Sequence, residues 1–202
     1  MKLFFARHGE SEANLLRVMS NRNVNHHLTD AGREQALKLA QTLASEGVEH
    51  VYASPICRAR ETGEIVAGEL GVPLTLCDGL REFHCGVLEG RGDEEAWAQH
   101  LWVQNQWFHH DDPNARIEGG ESFADIEKRF RAMLATTLSA HTDSQAVLYV
   151  SHGATLGAMM PLVLENLTQE RLWELGLKYT TIIEVVQNQD LLICVRWNGV
   201  AV

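Results

Sequence analysis

The chain has 202 residues, 45% of them hydrophobic, and a formal net charge of −10 at pH 7. That length suits one domain, and the acidity disfavours nucleic acid and anionic membranes as partners. No apolar run approaches the roughly 18 residues a bilayer demands. Cys57, Cys77, Cys85 and Cys194 lack both CxxC spacing and the look of a disulfide framework. The N-terminus enters its first strand with no basic and apolar leader, so a reduced, cytoplasmic setting is expected.

The first strand, Leu3-Phe4-Phe5-Ala6, is a short apolar run that ends in Arg7-His8-Gly9-Glu10. Such runs read as strands buried on both faces. Residues 11–27 are polar, asparagine-rich and aperiodic, and read as a loop. Thr29 caps a helix whose stripe is Ala36, Leu39, Ala40 and Leu43. Gly47 ends it, and 48–53 form the second strand, broken by Ser54-Pro55. A helix follows over 58–70, with Thr62, Ile65, Val66 and Leu70 inward, and then a short edge strand at 73–77. Residues 78–92 read as a loop. The helix at 93–108 carries Trp97, Trp102, Trp107 and Phe108.

Ser122 with Asp125 makes a capping-box start for the next helix, aspartate standing in for glutamate. Val147-Leu148-Tyr149-Val150-Ser151-His152-Gly153 repeats the apolar-run-to-His-Gly pattern of the N-terminus. A helix bent near Pro161, a short helix after Thr168 and strands at 182–186 and 191–197, joined by a turn at 187–190, close the chain. This alternation predicts an α/β three-layer sandwich, its central sheet mostly parallel and flanked by helices. The final pair can be a hairpin. Residues 1–202 read as one domain, with a helical excursion at about 91–118.

In open α/β sheets ligands sit beyond the carboxyl ends of the strands. Arg7, His8, Arg58, Glu82 and His152 all fall at that edge. Two guanidiniums and two imidazoles around helix N-termini suit a tetrahedral dianion, because arginine binds phosphate oxygens bidentately and helix N–H groups add dipolar attraction. A neutral histidine can attack phosphorus and carry the phosphoryl group. One of the two imidazoles would attack while the other holds the equatorial oxygens, with Glu82 protonating the leaving group and then activating water. Cationic side chains replace a metal in this scheme, and no Gly-x-x-x-x-Gly-Lys loop occurs.

The blocks Arg7-His8-Gly9-Glu10-Ser11 with Asn14, Leu28-Thr29-x-x-Gly32 and Ser54-Pro55-x-x-Arg58-Ala59-x-x-Thr62 resemble the signature of the histidine phosphatase superfamily. Leu80-Arg81-Glu82-x-x-x-Gly86-x-x-Glu89-Gly90, Gly120-Glu121-Ser122 and Ser151-His152-Gly153 continue it in order over nearly the whole chain. The resemblance implies a phosphoglycerate mutase-like fold. It makes His8 the nucleophile, Glu82 the proton donor, Arg7, Arg58 and His152 the phosphate holders, and Asn14 a substrate contact. The chain departs from the family pattern at 20–27, which leaves Ser20, Asn21 and Asn23 as candidate substrate contacts, and at Leu88, where tryptophan is common.

The expected activity is a metal-independent phosphomonoesterase acting through phosphohistidine on a small phosphorylated metabolite, with no cofactor. A cofactor-dependent phosphoglycerate mutase would use the same residues. A non-catalytic phospho-ligand-binding module is the third reading. The resembling mutases generally carry a longer excursion after the Glu-Gly block, which favours hydrolysis here. His26-His27 and His109-His110-Asp111-Asp112 invite a metal reading, but adjacent residues point apart, so solvated loops and no metal are expected. Glu89 could cap a segment or act in catalysis. The tryptophans could cover the site, pack the excursion or face a second subunit, as in a homodimer.

Overall fold

The computed structural model describes residues 1–22, 24–109, 112–142, 145–189 and 191–202. Seven strands form one sheet in the order β3-β2-β4-β1-β5-β6-β7. They are β1 (Lys2–Arg7), β2 (Val48–Ala53), β3 (Leu74–Leu76), β4 (Ala146–Ser151), β5 (Ile182–Asn188), β6 (Leu191–Trp197) and β7 (Val200–Ala201). The helices are α1 (Glu12–Leu16), α2 (Asp30–Leu43), α3 (Cys57–Leu70), α4 (Glu94–His109), α5 (Phe123–Ser139), α6 (Gly153–Val163) and α7 (Gln169–Leu175).

Strand alternation builds the three layers. Leu3 and Phe5 of β1, Val147 and Tyr149 of β4, and Tyr52 of β2 turn to one face, under Ile126 and Phe130 of α5 and Leu156 of α6. Phe4, Ala6, Leu148, Val150, Val51 and Ala53 turn to the other, under Leu39 and Leu43 of α2 and Ala59 and Val66 of α3. Side chains one residue apart along a strand point to opposite faces, so a strand packed on both sides must be apolar throughout. On the first face the Phe5 ring stacks on Tyr149 at 4.9 Å between centroids. A fully buried side chain of this size contributes about 1.5–3 kcal/mol.

The three-layer α/β class expected from the sequence is the architecture found. β1, β4, β2 and β3 run parallel, whereas β5, β6 and β7 each pair antiparallel with a neighbour. The antiparallel part is therefore larger than a closing hairpin alone, because β5 turns back beside β1 before β6 folds onto it.

Local chemistry fixes the ends of the helices. Gly32 N–H donates to Thr29 Oγ1 at 3.0 Å, the cap expected for α2. Ser122 and Asp125 exchange capping hydrogen bonds at the start of α5. Pro161 lies inside α6, where its ring removes the donor for the Gly157 carbonyl. Gln169 Nε2 donates to that carbonyl instead, at 3.3 Å. Residues 11–27 are not all loop, since α1 occupies Glu12–Leu16. Ser11 N–H and Oγ–H both donate to Asn14 Oδ1 (3.0 and 2.8 Å), a capping arrangement with asparagine in the glutamate position. Five residues are too few to display an apolar stripe, which hid the helix from periodicity. Among the described residues no helix is long and apolar enough to cross a membrane.

Candidate active site

The register of the sheet brings the site together. Arg7 pairs with Ser151 across β1 and β4, so His8 and His152 leave adjacent strands side by side. Their rings meet edge to face, 5.1 Å between centroids. Ala53 pairs with Val150, which puts Ser54 next to the same exit, and Ser54 Oγ lies 2.8 Å from His152 Nε2. The chain then crosses α2 at very close range. A Cβ on Gly9 would stand 2.5 Å from the Gly32 carbonyl oxygen, and one on Gly32 would stand 2.0 Å from the Glu10 carbonyl oxygen. Both glycines are therefore required by space, and they are the glycines of the Arg-His-Gly and Leu-Thr-x-x-Gly blocks.

His8 is 2% exposed, and its tautomer follows from its partners. Nδ1 lies 2.6 Å from the Gly9 carbonyl, which can only accept, so Nδ1 carries the proton. Nε2 keeps its lone pair, and Arg58 Nε–H donates to it at 3.0 Å. Burial, then the charges of Arg58 and Arg7, hold the His8 pKa well below the usual histidine value, with the Gly9 hydrogen bond opposing. His152 is depressed in the same way by burial and by Arg58. Ser54 Oγ already accepts from Ile56 N–H at 3.2 Å, so its own proton is free for His152 Nε2. That leaves His152 Nδ1 as the N–H, and it is buried without a protein acceptor. Arg7 Nε is a second buried donor without one.

Arg58, in the first turn of α3, is 5% exposed. Each of its three nitrogens makes one hydrogen bond, which leaves two of its five N–H donors for a ligand. Nη1 donates to Ser20 O at 2.5 Å and Nη2 to Asn21 Oδ1 at 3.1 Å. Arg7 Nη1 donates to the Leu177 carbonyl at 2.7 Å, and its guanidinium lies 4.6 Å over the Tyr179 ring. Burial lowers both arginine pKa values, yet a guanidinium stays charged in proteins. Glu82 sits across the start of α6. Its Oε1 accepts from Thr155 N–H (2.8 Å) and Phe83 N–H (3.2 Å), and its Oε2 from Ala154 N–H (3.0 Å). Oε2 is the less committed oxygen.

A cavity of about 180 Å³ opens on these groups, lined by Arg7, His8, Asn14, Arg58, Glu82 and Trp97 among others. His152 does not line it, although Gly153 and Ala154 do. Ala13, Val18 and Met19 make the outer wall apolar, and His100 of α4 completes the rim. A larger groove of about 340 Å³ runs between α2 and the β5–β6 hairpin. Among its charged residues Arg196 pairs with Glu184 at 3.3 Å, and Glu46 with Lys2 at 2.7 Å.

Of the residues anticipated from sequence, Arg7, His8, Asn14, Arg58 and Glu82 share this cavity, with His152 packed behind His8. Asn21 joins them, whereas Ser20 is structural, lending its carbonyl to Arg58 and its hydroxyl to the Val24 carbonyl at 2.7 Å. Asn23, His110 and Asp111 lie outside the described residues. Glu89 supports an earlier loop and not the next segment it was expected to cap, accepting from Asn21 and Arg22 N–H, each at 2.9 Å. It thereby seats the loop that holds Arg58. Leu88 is fully buried. The three tryptophans part company. Trp97 reaches the cavity and donates to Arg17 O at 2.9 Å, Trp107 is buried, and Trp102 is 57% exposed. Tyr179, Thr155 and His100 lie outside every recognisable block, and Ser54, though it opens the Ser-Pro block, has no role that the sequence expresses.

A three-layer α/β sandwich with a histidine pair, a buried arginine and a half-buried one at one sheet edge defines an enzyme class built for phosphoryl groups. The chain belongs to the histidine phosphatase superfamily (branch 1), whose model matches residues 3–199. A relative from Photorhabdus laumondii, called probable phosphoglycerate mutase GpmB, is 34% identical over 170 residues, covering 81% of this chain and 75% of its own. Bacillus stearothermophilus YhfR superposes with a TM-score of 0.81 at 26% identity, covering 100% of this chain and 98% of that one. The alpha-ribazole phosphatase of Shigella flexneri superposes with 0.80 at 25% identity, over 100% and 99%.

Proposed function

We propose that the chain is a metal-independent phosphomonoesterase for a small phosphorylated metabolite, working through a phosphohistidine on His8. The observation that carries this reading is the unprotonated His8 Nε2, held by the Gly9 carbonyl on the opposite nitrogen and ringed by cations. For attack, Arg58 Nε–H turns from that lone pair to a phosphoryl oxygen, and the freed Nε2 approaches phosphorus opposite the ester oxygen. The N–P bond forms as the ester P–O bond breaks, and the electron pair leaves on the ester oxygen. Arg7 and Arg58 stabilise charge on the equatorial oxygens, and His152, behind His8, reaches them only if its unpartnered Nδ1–H turns into the cavity. Glu82 Oε2 protonates the departing oxygen and then takes a proton from the water that attacks phosphorus. His8 returns to its starting tautomer, and phosphate leaves.

The same chemistry serves a mutase, and relatives carry that name. The wall of the cavity favours hydrolysis. A mutase must retain a bisphosphorylated intermediate and grip its second anionic group. Among the described residues lining the cavity, Arg7 and Arg58 are the cations, and both serve the first phosphate. Nearby Arg22 is committed to the Asn21 and Glu82 carbonyls (2.7 and 3.0 Å) and to Glu121. Ala13, Val18, Met19 and Trp97 offer an apolar surface to the leaving group instead.

The test is phosphate release from p-nitrophenyl phosphate and from a panel of phosphorylated metabolites in the presence of chelator. Turnover that persists in chelator and is abolished by His8→Ala supports the reading. Bisphosphoglycerate-dependent interconversion of phosphoglycerates without phosphate release would replace it with the mutase, and ester binding without turnover with a binding module.

A further inference from the structure

Outside the catalytic cavity, three potential metal ligands from distant parts of the chain meet at one point: His27, Cys57 and Glu61. Cys57 Sγ lies 3.3 Å from His27 Nδ1 and 3.7 Å from Glu61 Oε1, and His27 Nδ1 lies 2.5 Å from the same oxygen. We propose that this cluster is a zinc site, separate from the chemistry of phosphoryl transfer, that fastens the stretch around His27 to the start of α3.

Geometry distinguishes this arrangement from a nucleophile relay. In a Cys–His–acid relay the thiol and the carboxylate meet opposite nitrogens of the imidazole. Here both meet Nδ1, so the three donors face a common centre. Bond lengths of about 2.0–2.3 Å around a tetrahedral zinc put its ligand atoms about 3.4–3.6 Å apart. Two of the three separations are within a few tenths of an ångström of that spacing. The third opens by about 1 Å when the ion replaces the His–Glu hydrogen bond.

The surroundings orient the ligands as metal sites require. Glu61 Oε2 accepts from Leu28 N–H at 2.8 Å and lies 3.7 Å from Arg33 Nη1, which leaves Oε1 as the ligand oxygen. The backbone of His27 is clamped twice by Glu12, through its N–H to Oε2 at 2.9 Å and its carbonyl to Glu12 N–H at 3.0 Å. Cys57 opens α3 with its Sγ toward His27 and Glu61; burial and the Glu61 carboxylate push its thiol up, so the ion must displace the thiol proton as it binds. The His27 side chain is 53% exposed, so water can complete the tetrahedron. One thiolate, one carboxylate and one neutral imidazole balance the charge of Zn²⁺, and the thiol proton passes to solvent. The mixed S/N/O donor set suits zinc or cobalt.

The sequence did not suggest this site. The sequence pairs His27 with its neighbour His26, but His26 Nδ1 goes to Ser20 Oγ at 2.8 Å while His27 turns to α3. Cys57 and Glu61 stand one helical turn apart on the same face, and no recognised motif joins them to His27.

Titration of the chelator-stripped, reduced chain with Co²⁺ tests the proposal, followed by displacement with Zn²⁺. One Co²⁺ per chain with a near-ultraviolet thiolate-to-cobalt charge-transfer band is expected, and Zn²⁺ should bleach it. Cys57→Ser should lose the band, and His27→Ala, a change at an exposed side chain, should weaken Co²⁺ binding at least tenfold. Zn²⁺ should raise the Tm of the parent chain and leave that of Cys57→Ser unchanged. No band at saturation, or a band that survives Cys57→Ser, would overturn the site. So would His27→Ala binding with parental affinity.

Discussion

Acidification from pH 7 to pH 5 is the perturbation that most directly tests the buried histidine pair. His8 and His152 are neutral in the folded chain, with pKa values held well below the usual 6.5 by burial and by the neighbouring guanidiniums. Unfolded, each titrates near 6.5. The unfolded state therefore binds more protons below that pH, and stability falls as pH falls. The contribution is fully present above about 6.5 and drains away toward the lowered folded-state values. The unfolded titration alone sets the ceiling on the loss by pH 5, about 2 kcal/mol for each histidine and about 4 for the pair. That is a large part of a typical stability of about 5–15 kcal/mol.

Urea unfolding at pH 7, 6 and 5 reads the loss, and the same series on His8→Gln and His152→Gln apportions it. Each variant should lose up to about 2 kcal/mol less than the parent over the range. Depressed carboxylates such as Glu61 and Glu121 act in the same direction, but in a lower window, below the ordinary glutamate value. An equal loss in parent and variants would refute the reasoning. So would ring resonances of His8 or His152 that titrate in the native protein at or above pH 6.5. In catalysis the same depression moves the acid limb of kcat/KM below the ordinary histidine range.

Arg58→Ala should lower kcat by about 10²–10³-fold, the scale of removing one transition-state donor, and Arg58→Lys should not restore it, because a point charge cannot reach His8, Ser20 and Asn21 together. Steady-state kinetics beside thermal unfolding checks this, and a loss of activity matched by loss of fold would count against the assignment. Glu82→Gln should cost an alkyl phosphate about 10²–10⁴-fold in kcat while nearly sparing p-nitrophenyl phosphate, whose leaving group needs little protonation. A uniform loss across leaving groups would remove Glu82 from that role. Gly32→Ala would drive a methyl group into the Glu10 carbonyl. It should cost about 1–3 kcal/mol, seen as a Tm lower by about 2–12 °C.

Much of this site was legible because strand ends are legible. β1 and β4 are apolar at every interior position, a pattern that only burial on both faces explains, and each run stops at a histidine followed by glycine. Sheet order need not be known to see that two such exits lie on one edge. The need for the motif glycines was not readable in the same way, because only the folded crossing of Gly9 and Gly32 shows that neither position admits a side chain. What the sequence could not express was pairing between segments with no period. The α1 helix is too short to show a stripe, and β5 carries nothing that tells which neighbour it will lie against or in which direction.

The supports of the site were hidden for a different reason, and Arg58 shows why. A buried guanidinium persists only where acceptors surround it. Here they are the Ser20 carbonyl and the Asn21 side chain, held in turn by Glu89 beneath the Asn21 and Arg22 amides. Glu89 looked ambiguous in the sequence because its work is done on backbone groups that carry no residue identity. Its removal should therefore resemble an Arg58 defect: turnover falls while His8 and His152 stay in place. A Glu89→Gln chain keeps one carbonyl oxygen for the two amides and should retain more activity than Glu89→Ala. If the two variants prove equal to the parent in kcat, the 20–22 loop does not position Arg58 and the chain of support drawn here is wrong.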